Sequence, residues 1–140
     1  MTESPPISVL CVDDNQHLAD ALRTKFTRDP GFSWCGWLPT ADHLLETVRR
    51  ENPALVLLDL DMPGKDPFEA LAEIAECCPE SRGVILSGHV NQNLVDKAIE
   101  AGAWGYISKS EDEAVLRQVL EQVMLGEFSL SPLVRAAIGE

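Results

Sequence analysis

The 140-residue chain is poor in positive charge, with 11 Lys and Arg residues against 23 Asp and Glu residues and a formal net charge of −12. Surfaces that bind nucleic acid are basic because they meet phosphate groups, and anionic membranes attract basic surfaces for the same reason. The acidic residues are spread along the chain rather than gathered in one tail. We therefore expect this chain to bind neither nucleic acid nor membranes directly.

The sequence also lacks an apolar run of the roughly 20 residues that a membrane span needs. Residues 1–6 contain no basic region followed by an apolar stretch, so we expect no secretion signal and a cytoplasmic location. The four cysteines do not have the spacing of metal ligands. We expect structural thiols, and only the adjacent Cys77 and Cys78 leave a redox role open.

A chain of this length with 45% hydrophobic residues fits one domain with a sizeable core. Apolar segments typical of buried strands alternate with helical patterns. This predicts an α/β fold with a doubly wound five-stranded parallel sheet and helices on both faces, the flavodoxin-like arrangement. The predicted strands are residues 7–12, 32–38, 54–58, 83–86 and 103–108. We place the domain at residues 1–128, which leaves 129–140 as a C-terminal tail or the start of a linker helix.

Capping residues indicate where helices begin. Thr40, Asp66 and Ser110 each predict a helix start, the last through a capping box. Ser131 followed by Pro132 predicts a short helix in the tail. Because so short a helix is marginal in water, we expect it either to fray or to pack against the domain or a second chain.

Four of the predicted strands end in a polar group: the pair Asp13 and Asp14, then Asp59, Ser87 and Lys109. The carboxyl ends of parallel strands meet at one edge of the sheet, where open α/β sheets bind their ligands. If the strands that carry the acids are central, three carboxylates meet in one crevice. Each close pair would then repel by roughly 4 kcal/mol at an effective dielectric of 20, so the cluster needs a cation.

Phosphoryl transfer is the chemistry that fits this set of groups. Asp14 and Asp59 can share a Mg²⁺ with a main-chain carbonyl beyond Asp59, while Asp13 holds a metal-bound water. One carboxylate can act as the nucleophile. Lys109 can pair with one phosphoryl oxygen, and Ser87 can donate a hydrogen bond to another.

Residues 7–128 resemble the receiver domains of two-component response regulators. The resemblance rests on four motifs in the family's order and spacing. The motifs are Val12-Asp13-Asp14-Asn15, Leu58-Asp59-Leu60-Asp61-Met62-Pro63-Gly64, Ile85-Leu86-Ser87-Gly88-His89 and Gly102-Ala103-Trp104-Gly105-Tyr106-Ile107-Ser108-Lys109. The segment 103–106 is similar to the subfamily whose receivers precede a helix-turn-helix domain of the LuxR and NarL type.

The resemblance implies that Asp59 is the phosphoacceptor. It implies that Asp13, Asp14 and Asp59 bind Mg²⁺ together with the backbone carbonyl of Asp61. It also implies a signalling domain rather than an enzyme, one that assists its own phosphorylation and dephosphorylation.

The resemblance further implies that Ser87, Tyr106 and Lys109 are the switch residues that respond to the phosphoryl group. The implied partner is a sensor histidine kinase, and a second copy of the chain is a candidate partner in a homodimer formed on phosphorylation. DNA binding is expected only through a helix-turn-helix domain, which this sequence does not contain. Regulation of transcription is the expected output.

The competing interpretation is a phosphatase of the haloacid dehalogenase type, because Asp59, Ser87 and Lys109 also imitate the order of its groups. That enzyme needs an acid pair after the lysine, at the end of another strand. Here Glu111 and Asp112 follow the lysine, and they are expected to open a helix instead. We therefore rank this alternative second.

Two side chains near the expected site, Asp61 and His89, can each be interpreted in two ways, and the tryptophans have definite expected positions. Asp61 either faces solvent or slows attack on the phosphoryl group by repulsion, and His89 is either a solvated loop residue or a base. Trp34 and Trp37 are expected on alternate faces of their strand, as core residues. Trp104 is expected close enough to the site to report Mg²⁺ binding.

Overall fold

The computed structural model describes residues 5–140, which form six strands and six helices. The strands are β1 (Ile7–Val12), β2 (Phe32–Leu38), β3 (Leu55–Leu58), β4 (Arg82–Ser87), β5 (Gly105–Ser108) and β6 (Ser129–Leu130). The helices are α1 (Gln16–Arg28), α2 (Leu44–Glu51), α3 (Pro67–Cys77), α4 (Gln92–Glu100), α5 (Glu113–Met124) and α6 (Pro132–Ala137). Within residues 5–140, every helix is too short or too polar to cross a membrane. Residues 1–4, part of the predicted domain and of the segment inspected for a secretion signal, lie outside the described residues.

All the strands join one parallel sheet in the order β2-β1-β3-β4-β5-β6. The doubly wound parallel sheet with helices on both faces is confirmed. The predicted count of five strands was wrong, because the tail adds β6 beside β5. A strand of two residues is too short to show the alternation by which strands are predicted.

The chain changes direction across the sheet between β1 and β3. β2 lies on one side of β1, whereas β3 and the later strands lie on the other. The backbone N–H of Asp59 donates to the carbonyl of Val12 at 2.9 Å, so the carboxyl ends of β1 and β3 are level. Doubly wound sheets bind ligands at such a switch point. The topology therefore brings the residues after β1 and after β3 into one crevice.

Both faces of the sheet are buried, and successive residues of β1 pack on opposite sides. Val9 and Cys11 pack in a cluster with α1 and α5, whereas Leu10 and Val12 pack in a cluster with α2, α3 and α4. Strands that are covered on both faces are apolar at consecutive positions. This explains why the sequence shows unbroken apolar runs rather than alternation.

Two of the predicted helix starts differ from the structure. Asp66 caps α3 as predicted, with its side chain accepting a backbone N–H at 2.9 Å. The Thr40 prediction was wrong, because α2 begins at Leu44 without a side-chain cap. The capping box at Ser110 was also wrong, since Asp112 caps α5 and accepts a backbone N–H at 2.9 Å. At α5 a neighbouring residue provides the cap that the sequence pattern assigned to Ser110, whereas no side chain caps α2.

β2 contains a bulge that changes which residues share a face. Its register against β1 shifts by one residue after Trp34, which leaves Cys35 as the extra residue. An extra residue reverses the alternation beyond it. As a result Trp34 and Trp37 both pack against the cluster of α1 and α5, and the prediction that they lie on alternate faces was wrong.

The tail packs against the domain, which is one of the two outcomes expected for it. Val134 of α6 is fully buried. The hydroxyl of Ser131 accepts a hydrogen bond from the backbone N–H of Ser108 at 3.2 Å, and the carboxylate of Glu111 accepts one from the N–H of Leu133 at 2.6 Å. The tail is therefore held by β5 and by the loop that follows it. The division of the chain at residue 128 stays a prediction.

Candidate functional site

Asp13, Asp14 and Asp59 meet at the switch point of the sheet. Their carboxylates each offer an oxygen, and these oxygens lie within 4.8 Å of one another. Asp13 and Asp59 are buried, whereas Asp14 is exposed at the mouth of the crevice. Two buried carboxylates beside a third, open to solvent on one side, form a donor set of hard oxygens that suits Mg²⁺.

Lys109 places its ammonium between the two buried carboxylates. Its Nζ atom lies 2.8 Å from Oδ2 of Asp13 and 3.2 Å from Oδ1 of Asp59. The lysine follows β5 directly, and its backbone N–H donates to the carbonyl of Ser87 at 2.9 Å. The sheet thus brings together Asp13, Asp59 and Lys109 from the ends of three strands, as the sequence predicted.

The electrostatics of the cluster follow from burial and from the short distances. Burial and the negative charge of Asp13 raise the pKa of Asp59 above its ordinary value of 3.8, and Lys109 partly opposes this rise. Burial alone would lower the pKa of Lys109, but its hydrogen bonds with the two carboxylates and their charges outweigh burial and raise it. The lysine is therefore a permanent cation at neutral pH.

Ser87 and Tyr106 lie beside this cluster on β4 and β5. Ser87 is fully buried, and its hydroxyl accepts the backbone N–H of His89 at 3.0 Å. Tyr106 is also buried, and its hydroxyl donates to the backbone carbonyl of His89 at 2.5 Å. Burial raises the pKa of Tyr106, so its hydroxyl stays protonated and able to donate. Two of the three predicted switch residues, Ser87 and Tyr106, thus contact the same short loop after β4.

The mouth of the crevice is bordered by Asp61 and His89. Nε2 of His89 lies 3.5 Å from Oδ2 of Asp61, and both side chains are largely exposed. The backbone N–H of Asp61 lowers the pKa of Asp59 and so opposes part of the rise that burial causes. The side chain of Asp61 therefore faces solvent, and its effect on attack at the phosphoryl group stays a prediction.

Trp104 lies away from the site. Its backbone N–H donates to the carbonyl of Gly83, near the amino end of β4, and its ring packs on the guanidinium of Arg82 at 4.5 Å. The carboxylate cluster lies at the carboxyl ends of the strands, opposite to Trp104. The prediction that Trp104 lies near the metal ligands was therefore wrong. Trp37 contacts the site instead, through a hydrogen bond from its indole Nε1 to the backbone carbonyl of Asp13 at 2.6 Å.

The sequence interpretation missed Trp37 because it assumed regular alternation along β2. The available signal was Gly36, since an isolated glycine inside a strand pattern indicates a bulge.

The cysteines are free thiols, and burial raises the pKa of Cys11 to about 12. A thiol with that pKa stays neutral at the back of the site, in agreement with a structural role.

The family model of the response regulator receiver domain matches residues 9–121, a range that includes every site residue described above. The chain belongs to this family. As a receiver domain it is a component of two-component signalling, and the sequence resemblance is confirmed.

Individual relatives support the assignment to this family. The nitrate/nitrite response regulator NarL of Escherichia coli strain K12 is 29% identical over 131 residues, which cover 94% of this chain and 61% of NarL. The transcriptional regulatory protein MctR of Rhizobium johnstonii is 32% identical over 141 residues, which cover 100% of this chain and 66% of MctR. The chain thus spans only part of the length of these relatives.

A solved structure supports the same placement. The crystal structure of a LuxR-family two-component response regulator from Aurantimonas sp. SI85-9A1 has a TM-score of 0.88 and 30% sequence identity, and the match covers 96% of each chain. Almost all of this chain therefore shares its fold with that response regulator.

Proposed function

We propose that this receiver domain is a phosphorylation-dependent switch that accepts a phosphoryl group on Asp59 from a sensor histidine kinase. The observation that carries the proposal is the position of Asp59. It is a buried carboxylate next to two further acids and 3.2 Å from the permanent cation of Lys109. Such a group has a neighbouring cation to balance a transferred phosphoryl charge, and an acidic set that can hold a divalent metal.

In the proposed reaction an oxygen of Asp59 attacks the phosphorus of the donor. A bond forms between this oxygen and phosphorus, and the bond between phosphorus and the donor breaks. Lys109 then pairs with one oxygen of the transferred group, exchanging part of its contact with the carboxylates. The hydroxyl of Ser87 donates to a second oxygen once it turns away from the backbone of His89.

Asp13, Asp14, Asp59 and the backbone carbonyl of Asp61 are the groups we propose to hold Mg²⁺. When bound, the ion neutralises charge on the phosphoryl oxygens. The exposure of Asp14 leaves room for metal-bound waters, which Mg²⁺ retains in proteins. Asp13, already paired with Lys109, is proposed to orient one of these waters.

We propose that the switch proceeds through Ser87 and Tyr106. Movement of the Ser87 hydroxyl toward the phosphoryl group breaks its contact with the loop that also accepts the Tyr106 hydroxyl bond. The loop then rearranges together with α4 and β5. The proposed outputs are homodimer formation and control of transcription through a helix-turn-helix domain. The similarity to the transcriptional regulatory protein MctR supports a transcriptional output.

The phosphatase alternative gains no support from the geometry. It needs acids after the lysine that reach the site. Asp112 instead caps α5, and the carboxylate of Glu111 accepts the backbone N–H of Leu133 in the tail. We propose a domain that assists its own phosphorylation and dephosphorylation but has no separate substrate.

Acetyl phosphate tests the proposal without a kinase. The protein is incubated with acetyl phosphate and Mg²⁺, and its intact mass is measured with and without a chelator. We expect the addition of one phosphoryl group with Mg²⁺ and little or none with chelator. Equal labelling under both conditions would contradict the proposed metal requirement.

A further inference from the structure

The indole of Trp37 holds the peptide group that joins the two acids at the end of β1. Its Nε1–H donates to the backbone carbonyl of Asp13 at 2.6 Å. That carbonyl belongs to the peptide bond between Asp13 and Asp14. On the other side of the same residue, the backbone N–H of Asp13 donates to the carbonyl of Leu38 at 3.0 Å. Two adjacent residues of β2 therefore fix the backbone of Asp13 on both sides.

The bulge in β2 makes this contact possible. Trp37 pairs with Cys11 in the register beyond the bulge, and both face the cluster of α1 and α5. If β2 kept the same sequence but had no bulge, the alternation would turn the side chain of Trp37 to the opposite face. The indole would then be unable to reach over the end of β1. The bulge thus aims one specific side chain at the site.

All the polar atoms of Asp13 are occupied. In the carboxylate, Oδ1 accepts the backbone N–H of Asn15 at 2.9 Å and Oδ2 lies 2.8 Å from Nζ of Lys109. The backbone N–H and carbonyl are held by β2 as described. A partly buried carbonyl that loses its partner needs another, and rotation of the peptide plane would expose it to water. Such a rotation would turn the Asp14 side chain relative to Asp59.

We propose that Trp37 is a positioning residue for the acid set. By fixing the peptide plane between Asp13 and Asp14, it sets the separation of the carboxylate oxygens that would hold a divalent metal. This inference rests on the proposed function, since it concerns the metal ligands of that site. Groups that orient metal ligands through hydrogen bonds contribute to metal affinity. Losing one such group typically weakens metal binding by about tenfold or more.

The test compares Trp37→Phe with Trp34→Phe. Phenylalanine keeps an aromatic ring in the cluster but has no N–H to donate, so only the first variant loses the bond to Asp13. Trp34 packs against the same cluster from the same strand and serves as the matched control. We expect calorimetric titration to show Mg²⁺ binding about tenfold weaker in Trp37→Phe, and within about twofold of wild type in Trp34→Phe. Equal affinity in wild type and Trp37→Phe would overturn the inference.

A second measurement on the wild-type protein does not depend on how the variant folds. The indole N–H signals of Trp37 and Trp104 are followed by ¹⁵N NMR during a Mg²⁺ titration. The Trp37 signal is expected to shift in step with Mg²⁺ binding. The Trp104 signal is expected to stay in place, because Trp104 lies at the amino ends of the strands, away from the site. A Trp37 signal that moves no more than that of Trp104 while Mg²⁺ binds would also overturn the inference.

Failure of the proposed metal site and failure of the role of Trp37 give different experimental results. If wild-type protein binds no Mg²⁺, the proposed metal site is wrong and the role of Trp37 fails with it. If wild-type protein binds Mg²⁺ and accepts a phosphoryl group while Trp37→Phe does both equally well, only the positioning role is wrong.

Discussion

The ammonium of Lys109 lies 2.8 Å from the carboxylate of Asp13, a side chain that is almost fully buried. The same ammonium also contacts Asp59. Without a bound metal, the lysine is the cation that balances two buried carboxylates. Its charge therefore contributes to the stability of the fold as well as to the proposed chemistry.

Replacing Lys109 with methionine keeps most of the length of the side chain and removes the charge. We expect the free energy of unfolding without Mg²⁺ to fall by about 2 kcal/mol, because two buried carboxylates lose their common partner. Added Mg²⁺ should restore part of the loss, since it supplies positive charge at the same place. Denaturant unfolding with and without Mg²⁺ measures both effects. An unfolding free energy equal to that of wild type in the absence of Mg²⁺ would show that the ion pairs carry no net stability.

Mg²⁺ should also stabilise the wild-type protein. A ligand that binds only the folded state adds about 2.7 kcal/mol to the unfolding free energy at 100 times its dissociation constant. We expect this gain in wild type and its loss in Asp14→Asn. The matched control is Asp61→Asn, because Asp61 is proposed to contribute only its backbone carbonyl, which the substitution keeps. If Asp14→Asn gained as much stability from Mg²⁺ as wild type, Asp14 would not be a ligand.

The raised pKa of Asp59 predicts how stability depends on pH in metal-free protein. A carboxyl whose pKa is higher in the folded state than in the unfolded state binds its proton more tightly when folded, so its contribution becomes more favourable as pH falls through the folded pKa. Asp59→Asn removes this group, so it should be more stable than wild type at neutral pH. The difference should shrink in acid, once Asp59 is protonated. Unfolding at a series of pH values in chelator tests this, and a difference that grew in acid would have the wrong sign.

The packed tail predicts a loss of stability when its buried residue is shortened. Val134→Ala should lower the unfolding free energy by about 2 kcal/mol, because it removes buried methyl groups and leaves a cavity. Leu133→Ala is the control, since Leu133 is 45% exposed and its loss should cost less. Denaturant unfolding compares the two. Equal effects would indicate that α6 does not pack as described. Labelling of the folded variants should persist, because no proposed site group lies in the tail.

The sequence was sufficient to predict the carboxylate cluster because each member directly follows an apolar run. Runs of this kind become buried parallel strands, and their carboxyl ends meet by topology rather than by any detail of side-chain packing. Asp13, Asp59 and Lys109 could thus be brought together without knowing a single contact. The order of the strands, with the switch between β1 and β3, then placed the acids in one crevice.

Features that depend on one extra residue or on a few contacts were not predictable in this way. The bulge at Cys35 reverses the alternation of β2, and so it hid the contact between Trp37 and Asp13. β6 is too short for a periodic signal, and its place beside β5 depends on tertiary contacts such as the hydrogen bond between Ser131 and Ser108. The pattern of apolar and polar residues along the chain does not indicate single extra residues or individual tertiary contacts.

Phosphorylation at Asp59 is tested most directly by finding which residue carries the phosphoryl group. Asp59 and Asp61 are acids two positions apart in the same turn, but one is buried in the cluster and the other is exposed. Wild type, Asp59→Asn and Asp61→Asn are incubated with acetyl phosphate and Mg²⁺, and their intact masses are compared. We expect one added phosphoryl group on wild type and on Asp61→Asn, and none on Asp59→Asn. Labelling that persists in Asp59→Asn, or that disappears only in Asp61→Asn, would contradict phosphorylation at Asp59.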